Sequence, residues 1–88
     1  MQIRVRLGAG LSRFAGSPLL AVELPEGGSV ADLFAAIEEH HPELAPALPS
    51  ALPVVGGAHV ERDAPLNAGD EVALLIPVAG GAGPTRGA

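Results

Sequence analysis

Only one stretch of this chain, residues 29–41, carries apolar residues at helical spacing; the other regular segments alternate apolar and polar residues with period two. A single helix and several half-buried strands each present one apolar face, and both are buried when the helix lies across one face of a sheet. Within the helical stretch Val30, Leu33, Phe34 and Ile37 form the stripe, while Asp32, Glu38 and Glu39 fall on the water side. Ser29 is placed to accept hydrogen bonds from the first turn. Asp32, three residues on, is placed to reach back as in a capping box, at the positive end of the helix dipole. Pro42 biases His41 away from helical angles, so the helix is expected to end near His40 or His41.

The strands follow from the same reading. Ile3, Val5 and Leu7 alternate with Gln2, Arg4 and Arg6 in a first strand, and Leu20, Val22 and Leu24 share one face of a second, which suits an antiparallel pair. Between them Gly8-Ala9-Gly10 breaks the pattern. The short stretch Leu11 to Gly16 reads as a loop or a single helical turn from which Phe14 plugs the core. Residues 43–53, studded with Pro46, Pro49 and Pro53, read as irregular, with Leu44, Leu48 and Leu52 available to cover an edge of the core. A short strand at Pro53-Val54-Val55, a turn at Gly56-Gly57 and a return at His59-Val60-Glu61 with Val60 inward come next. Leu66 is a core anchor, and Gly69 is free to take a positive φ. The last strand runs from Glu71 to Ile76, with Val72, Leu74 and Ile76 inward and Ala73 and Leu75 outward. The fold class is therefore α+β: a mixed sheet of four to five strands with one main helix on one face.

Composition narrows the function. At 88 residues the chain is one domain of modest stability, roughly 5–10 kcal/mol. Without cysteine it has no disulfide framework, thiolate zinc site or Cys nucleophile. A net charge of −5, with no Lys, argues against nucleic acid and suits an acidic carrier that docks on basic partners. No apolar run approaches the roughly 20 residues of a membrane span, so a soluble cytoplasmic protein is expected. Candidates for chemistry within the domain are weak. His40 and His41 point about 100° apart on a helix and lack the further ligands of a metal site, so none is expected. Glu38 and Glu39 are adjacent rather than facing, His59 stands alone, and no serine lies in a nucleophile elbow. On its own the polypeptide is not expected to be an enzyme.

Attention therefore passes to the end of the chain. Pro77 removes a backbone donor and ends the last ladder, and Val78-Ala79-Gly80-Gly81 follow as a sterically bare thread able to enter a narrow channel. Gly-Gly pairs also occur at Gly27-Gly28 and Gly56-Gly57, so it is the position after the final strand that singles this one out. The order of elements, the strand at Ile3 to Leu7 and the closing phrase from Leu66 to Gly81 resemble the ubiquitin-like β-grasp sulfur carriers of the MoaD/ThiS family. This family includes the small subunit of molybdopterin synthase and the thiazole-synthesis carrier.

The resemblance covers residues 1–81 and implies a β-grasp fold with the first and last strands parallel at the centre of the sheet. It also implies that the terminal Gly carboxylate is adenylated by an E1-like enzyme using ATP, then converted to a thiocarboxylate whose sulfur passes to a synthase. Carried over by position, Gly81 bears the sulfur and Gly80 helps to thread the active site; Leu75, outward on the last strand beside the exit, is expected to make the partner contact together with Pro77, Val78 and Ala79. No cofactor is bound by the carrier itself. One departure stands out: residues 82–88, Ala-Gly-Pro-Thr-Arg-Gly-Ala, follow Gly81, which is then an amide rather than a free carboxylate. That segment has no large apolar residue to offset the roughly 1–2 kcal/mol per residue needed to order its backbone. It is expected to be removed by a peptidase of the metallopeptidase kind. Three functions stay open: a sulfur carrier for biosynthesis, the small subunit of molybdopterin synthase, and a ubiquitin-like modifier joined to target lysines. Having no Lys, the chain cannot build Lys-linked chains on itself.

Overall fold

Strand β1 (Gln2–Leu7) and strand β5 (Glu71–Leu75) lie side by side and parallel, with Val5 opposite Val72 and Leu7 opposite Leu74. This places the alternating apolar residues of both ends of the chain on one face. The computed structural model describes residues 1–76. Between those strands come helix α1 (Ala9–Ala15), strand β2 (Leu19–Glu23), helix α2 (Val30–His40), two 3-10 turns (Pro42–Leu44 and Leu48–Ser50), and strands β3 (Leu52–Val55) and β4 (Ala58–His59). The five strands form one mixed sheet in the order β2-β1-β5-β3-β4, with β5 at the centre and only the β1–β5 pair parallel.

Helix α2 begins where its sequence says it should. The Ser29 hydroxyl accepts from the Asp32 N–H at 3.3 Å, and the Asp32 carboxylate accepts from the Ser29 N–H at 2.9 Å, the two halves of a capping box. At the other end the His41 N–H donates to the Ile37 carbonyl and the chain turns into Pro42. Val30, Leu33, Phe34 and Ile37 are all buried against Ile3, Val5, Leu20, Val22, Val72 and Leu74 from the sheet. Leu66 is buried as well. Gly69 has φ +85°, and in the β3–β4 turn Gly56 and Gly57 both have positive φ, which a side chain would strain and which matches the strand twist of a tight hairpin.

Four expectations need correction. The stretch after β1 is a helix of seven residues that closes on Gly16 at φ +75°. The residue that plugs the core from it is Leu11, which is fully buried, whereas Phe14 is 61% exposed. Leu11 and Ala15, four residues apart, share the inward face, and at about 100° per residue Phe14 is rotated off it. Residues 43–53 are more ordered than their prolines suggest, since each 3-10 turn starts with Pro at one of its first two positions and buries one leucine, Leu44 or Leu48. Leu52, by contrast, does not cover the core. Strand alternation starts at that residue, so Ala51 and Pro53 are buried and Leu52 faces out, 40% exposed. Val60 is half-buried against the core, just past β4.

Phe34→Ala is expected to lower unfolding free energy by about 3–5 kcal/mol, because it leaves a cavity between α2 and the sheet. Phe14→Ala, at an exposed position, is expected to change it by less than about 0.5 kcal/mol. Urea titration of the two variants beside the parent chain measures both.

Candidate docking face and C-terminal exit

Five-stranded pairing leaves the sheet with one face under α2 and one face open. On the open face the row Leu19, Arg6, Ala73, Val54 and His59 crosses all five strands. Nearer the carboxyl end of β5, Leu75 stands opposite Leu52 of β3. On its other side is Gly8, where a Cβ would lie 3.4 Å from Leu75 Cδ2. A side chain at residue 8 would therefore pack against Leu75. Four large apolar residues are exposed among the described residues, and three of them, Leu19, Leu52 and Leu75, share this face. Leu75 is outward as expected. Leu52 pairs with Leu75, and Leu19 lies on the same face across β1; neither was singled out as a partner contact, although alternation carries the signal: with Leu20 and Pro53 inward, their neighbours Leu19 and Leu52 must face out.

Charge on the open face is arranged around Glu71. Its carboxylate accepts from Arg6 Nε at 2.7 Å and lies 4.0 Å from Arg4 Nη2. Both arginine side chains are more than 60% exposed, so this is a solvated cluster rather than a buried pair, and its contribution to stability is small.

Strand β5 hydrogen-bonds to β1 on one side and β3 on the other, and Ile76, the last described residue, packs half-buried against the core. The Leu74 carbonyl accepts from the Gly8 N–H at 3.0 Å, extending the β1–β5 ladder past the end of β1. The chain is therefore held firmly up to Ile76. Pro77, Val78, Ala79, Gly80 and Gly81, and the extension 82–88, lie outside the described residues.

The remaining candidates do not converge on a reactive centre. His41 Nδ1 lies 3.4 Å from the Glu43 carboxylate at the surface. Among the described residues no three metal-ligating side chains cluster, and no helix is long and apolar enough to cross a membrane. A hollow of about 440 Å³ lies between α2 and the 3-10 segment, lined by Phe34, Glu38, Leu48 and Arg62 among others. Arg62 is committed to structure there. Its guanidinium sits 4.2 Å from the Phe34 ring centroid and donates to the carbonyls of Leu48, Pro49 and Ala51.

A mixed five-stranded sheet with parallel outer ends of the chain at its centre, one long helix across one face and a second short helix is the ubiquitin-like β-grasp. The chain belongs to the ThiS family, whose model matches residues 5–81. Among solved structures it is similar to SAMP1 from Haloferax volcanii, at 27% identity over 92% of this chain and 100% of that one, with a TM-score of 0.82. It is also similar to a putative molybdopterin converting factor subunit 1 from Pyrococcus furiosus, at 28% identity over 89% and 99% of the two chains, TM-score 0.80. A complex of subunits 1 and 2 of the molybdopterin-converting factor from Helicobacter pylori shares the fold, at 22% identity over 92% and 100%, TM-score 0.67. No curated protein matches the sequence.

The two faces of β5 make a sharp prediction. Leu75→Glu is expected to shift stability by less than about 0.5 kcal/mol, as at other solvent-facing positions. Leu74→Glu, one residue earlier, puts a carboxylate into the core and is expected to unfold the domain. Circular dichroism melts of the two variants check the assignment of faces.

Proposed function

We propose that this chain is a sulfur carrier that works through a carboxylate at Gly81. The observation that carries the reading is the extent of the family match, which runs from residue 5 to residue 81 and so ends on the second glycine of Gly80-Gly81. The central, doubly bonded position of β5 supports it, because it gives the departing thread a rigid root.

The chemistry is simple in outline. A carboxylate is a poor acceptor for a sulfur nucleophile until one oxygen becomes a good leaving group. Attack of the Gly81 carboxylate on the α-phosphorus of ATP, on an E1-like partner, releases pyrophosphate and leaves an acyl adenylate. A sulfide-level nucleophile then adds to the carbonyl and expels AMP, giving the thiocarboxylate, which donates its sulfur to a biosynthetic acceptor. Glycine at 80 and 81 leaves the carbonyl unobstructed on both sides. In this scheme the domain supplies the carboxyl group and the docking face with Leu75, while the partners supply the catalysis. A metallopeptidase that removes residues 82–88 is the further partner that the sequence calls for, since with the extension in place Gly81 offers ATP no carboxylate.

Two other readings each have an observation behind them. Likeness to the Pyrococcus converting-factor subunit, and the Helicobacter complex, support a small subunit of molybdopterin synthase whose thread enters a large subunit. Likeness to SAMP1, a small archaeal modifier protein from Haloferax volcanii, supports conjugation to lysines of target proteins.

The test presents three forms to the activating enzyme with ATP and a sulfur source: the full chain, the chain ending at Gly81, and that shorter chain with Gly81→Ala. Intact mass is expected to register exchange of one oxygen for sulfur in the shorter chain and none in the full chain. The Ala variant is expected to react about tenfold more slowly, equivalent to about 1.4 kcal/mol of transition-state stabilisation. Equal modification of the full chain at Ala88 would remove Gly81 from the scheme, and isopeptide adducts in place of thiocarboxylate would favour the modifier.

A further inference from the structure

We infer that the protein surface on which the open sheet face docks is acidic, although the chain itself carries a net charge of −5. This rests on the carrier reading above and specifies the partner's chemistry.

The sign of a protein's net charge predicts its partner only if the charge is spread evenly, and here it is not. Asp32, Glu38 and Glu39 lie exposed on α2, on the covered side of the sheet, and Glu26, Glu61 and Asp63 lie exposed in loops. On the open face Arg4 and Arg6 share the carboxylate of Glu71, and the other carboxylate there, Glu23, lies 3.0 Å from the N-terminal ammonium of Met1. Arg6 spends only its Nε on Glu71, and Arg4 makes no hydrogen bond with its side chain among the described residues. Exposed guanidinium N–H groups therefore stand on the face that carries Leu19, beside Arg6, and the Leu52–Leu75 pair. The fork of an arginine matches the two oxygens of a carboxylate. A partner that meets this face gains most from an apolar centre flanked by Asp or Glu, and a basic surface is repelled here whatever the chain's total charge.

Affinity for the activating enzyme of the same organism, measured with the full chain and with the chain ending at Gly81, tests the inference. Arg4→Glu/Arg6→Glu is expected to weaken binding by about tenfold or more and to flatten its salt dependence. Glu71→Gln, which frees both arginines, is expected to strengthen binding. Since these two changes act in opposite directions, loss of folding cannot imitate the pair of results. Tighter binding by the double reversal, or binding indifferent to all three side chains, overturns the inference. So does concentration-dependent self-association that the reversal abolishes, which would give the face to a second copy of this chain. The carrier reading has its own readout: if the shorter parent chain gains no thiocarboxylate while its binding follows the expected pattern, that reading fails and the acidic docking surface stands. If the parent chain does not bind at all, the inference falls.

Discussion

The parallel ladder between β1 and β5 is the interaction on which the rest depends. It joins the two ends of the described chain at the middle of the sheet, and it sets Val5 beside Val72 and Leu7 beside Leu74 so that both strands offer one continuous apolar surface to α2. Parallel neighbours require a long crossover, and here the crossover carries α2 together with strand β2 and the 3-10 segment. Without that pairing α2 would have half a floor. Burial of Phe34, the firm root at Ile76 and the outward position of Leu75 all follow from it.

Much of this architecture was legible in the residues, and the reasons are specific. Alternation at Ile3 to Leu7 and Val72 to Ile76 has a period of two, and a slip of one residue would turn every leucine and valine to water, so the register is strongly determined. The cap at Ser29 and Asp32 is legible because few residue types can satisfy the first N–H groups of a helix. Helix α1 was harder. Seven residues bounded by glycine carry a single buried leucine, and nothing in so short a pattern says which of Leu11 and Phe14 turns inward; the larger residue lost. Leu52 failed for a related reason, since it was grouped with Leu44 and Leu48 as cover for the core and the strand period begins at it.

The candidate site divides in the same way. Leu75 could be placed from its neighbours along one strand, whereas its pairing with Leu52 depends on two strands that are not consecutive in sequence. The cluster of Arg4, Arg6 and Glu71 is likewise a product of register. Its three members are unremarkable polar positions along their own strands, and they meet because β1 lies against β5. Net charge, a sum over the chain, is blind to such segregation.

The ladder has a mechanical consequence. Because β1 and β5 run in the same direction, the amino end of β1 and the carboxyl end of β5 lie at opposite ends of the ladder, and tension between them runs along the strands. Loaded this way, the hydrogen bonds of the pair bear the strain together, in shear, where a hairpin pulled at its open end would give up its bonds one by one. A pull applied along the chain at Ile76 therefore meets a handle that does not unzip.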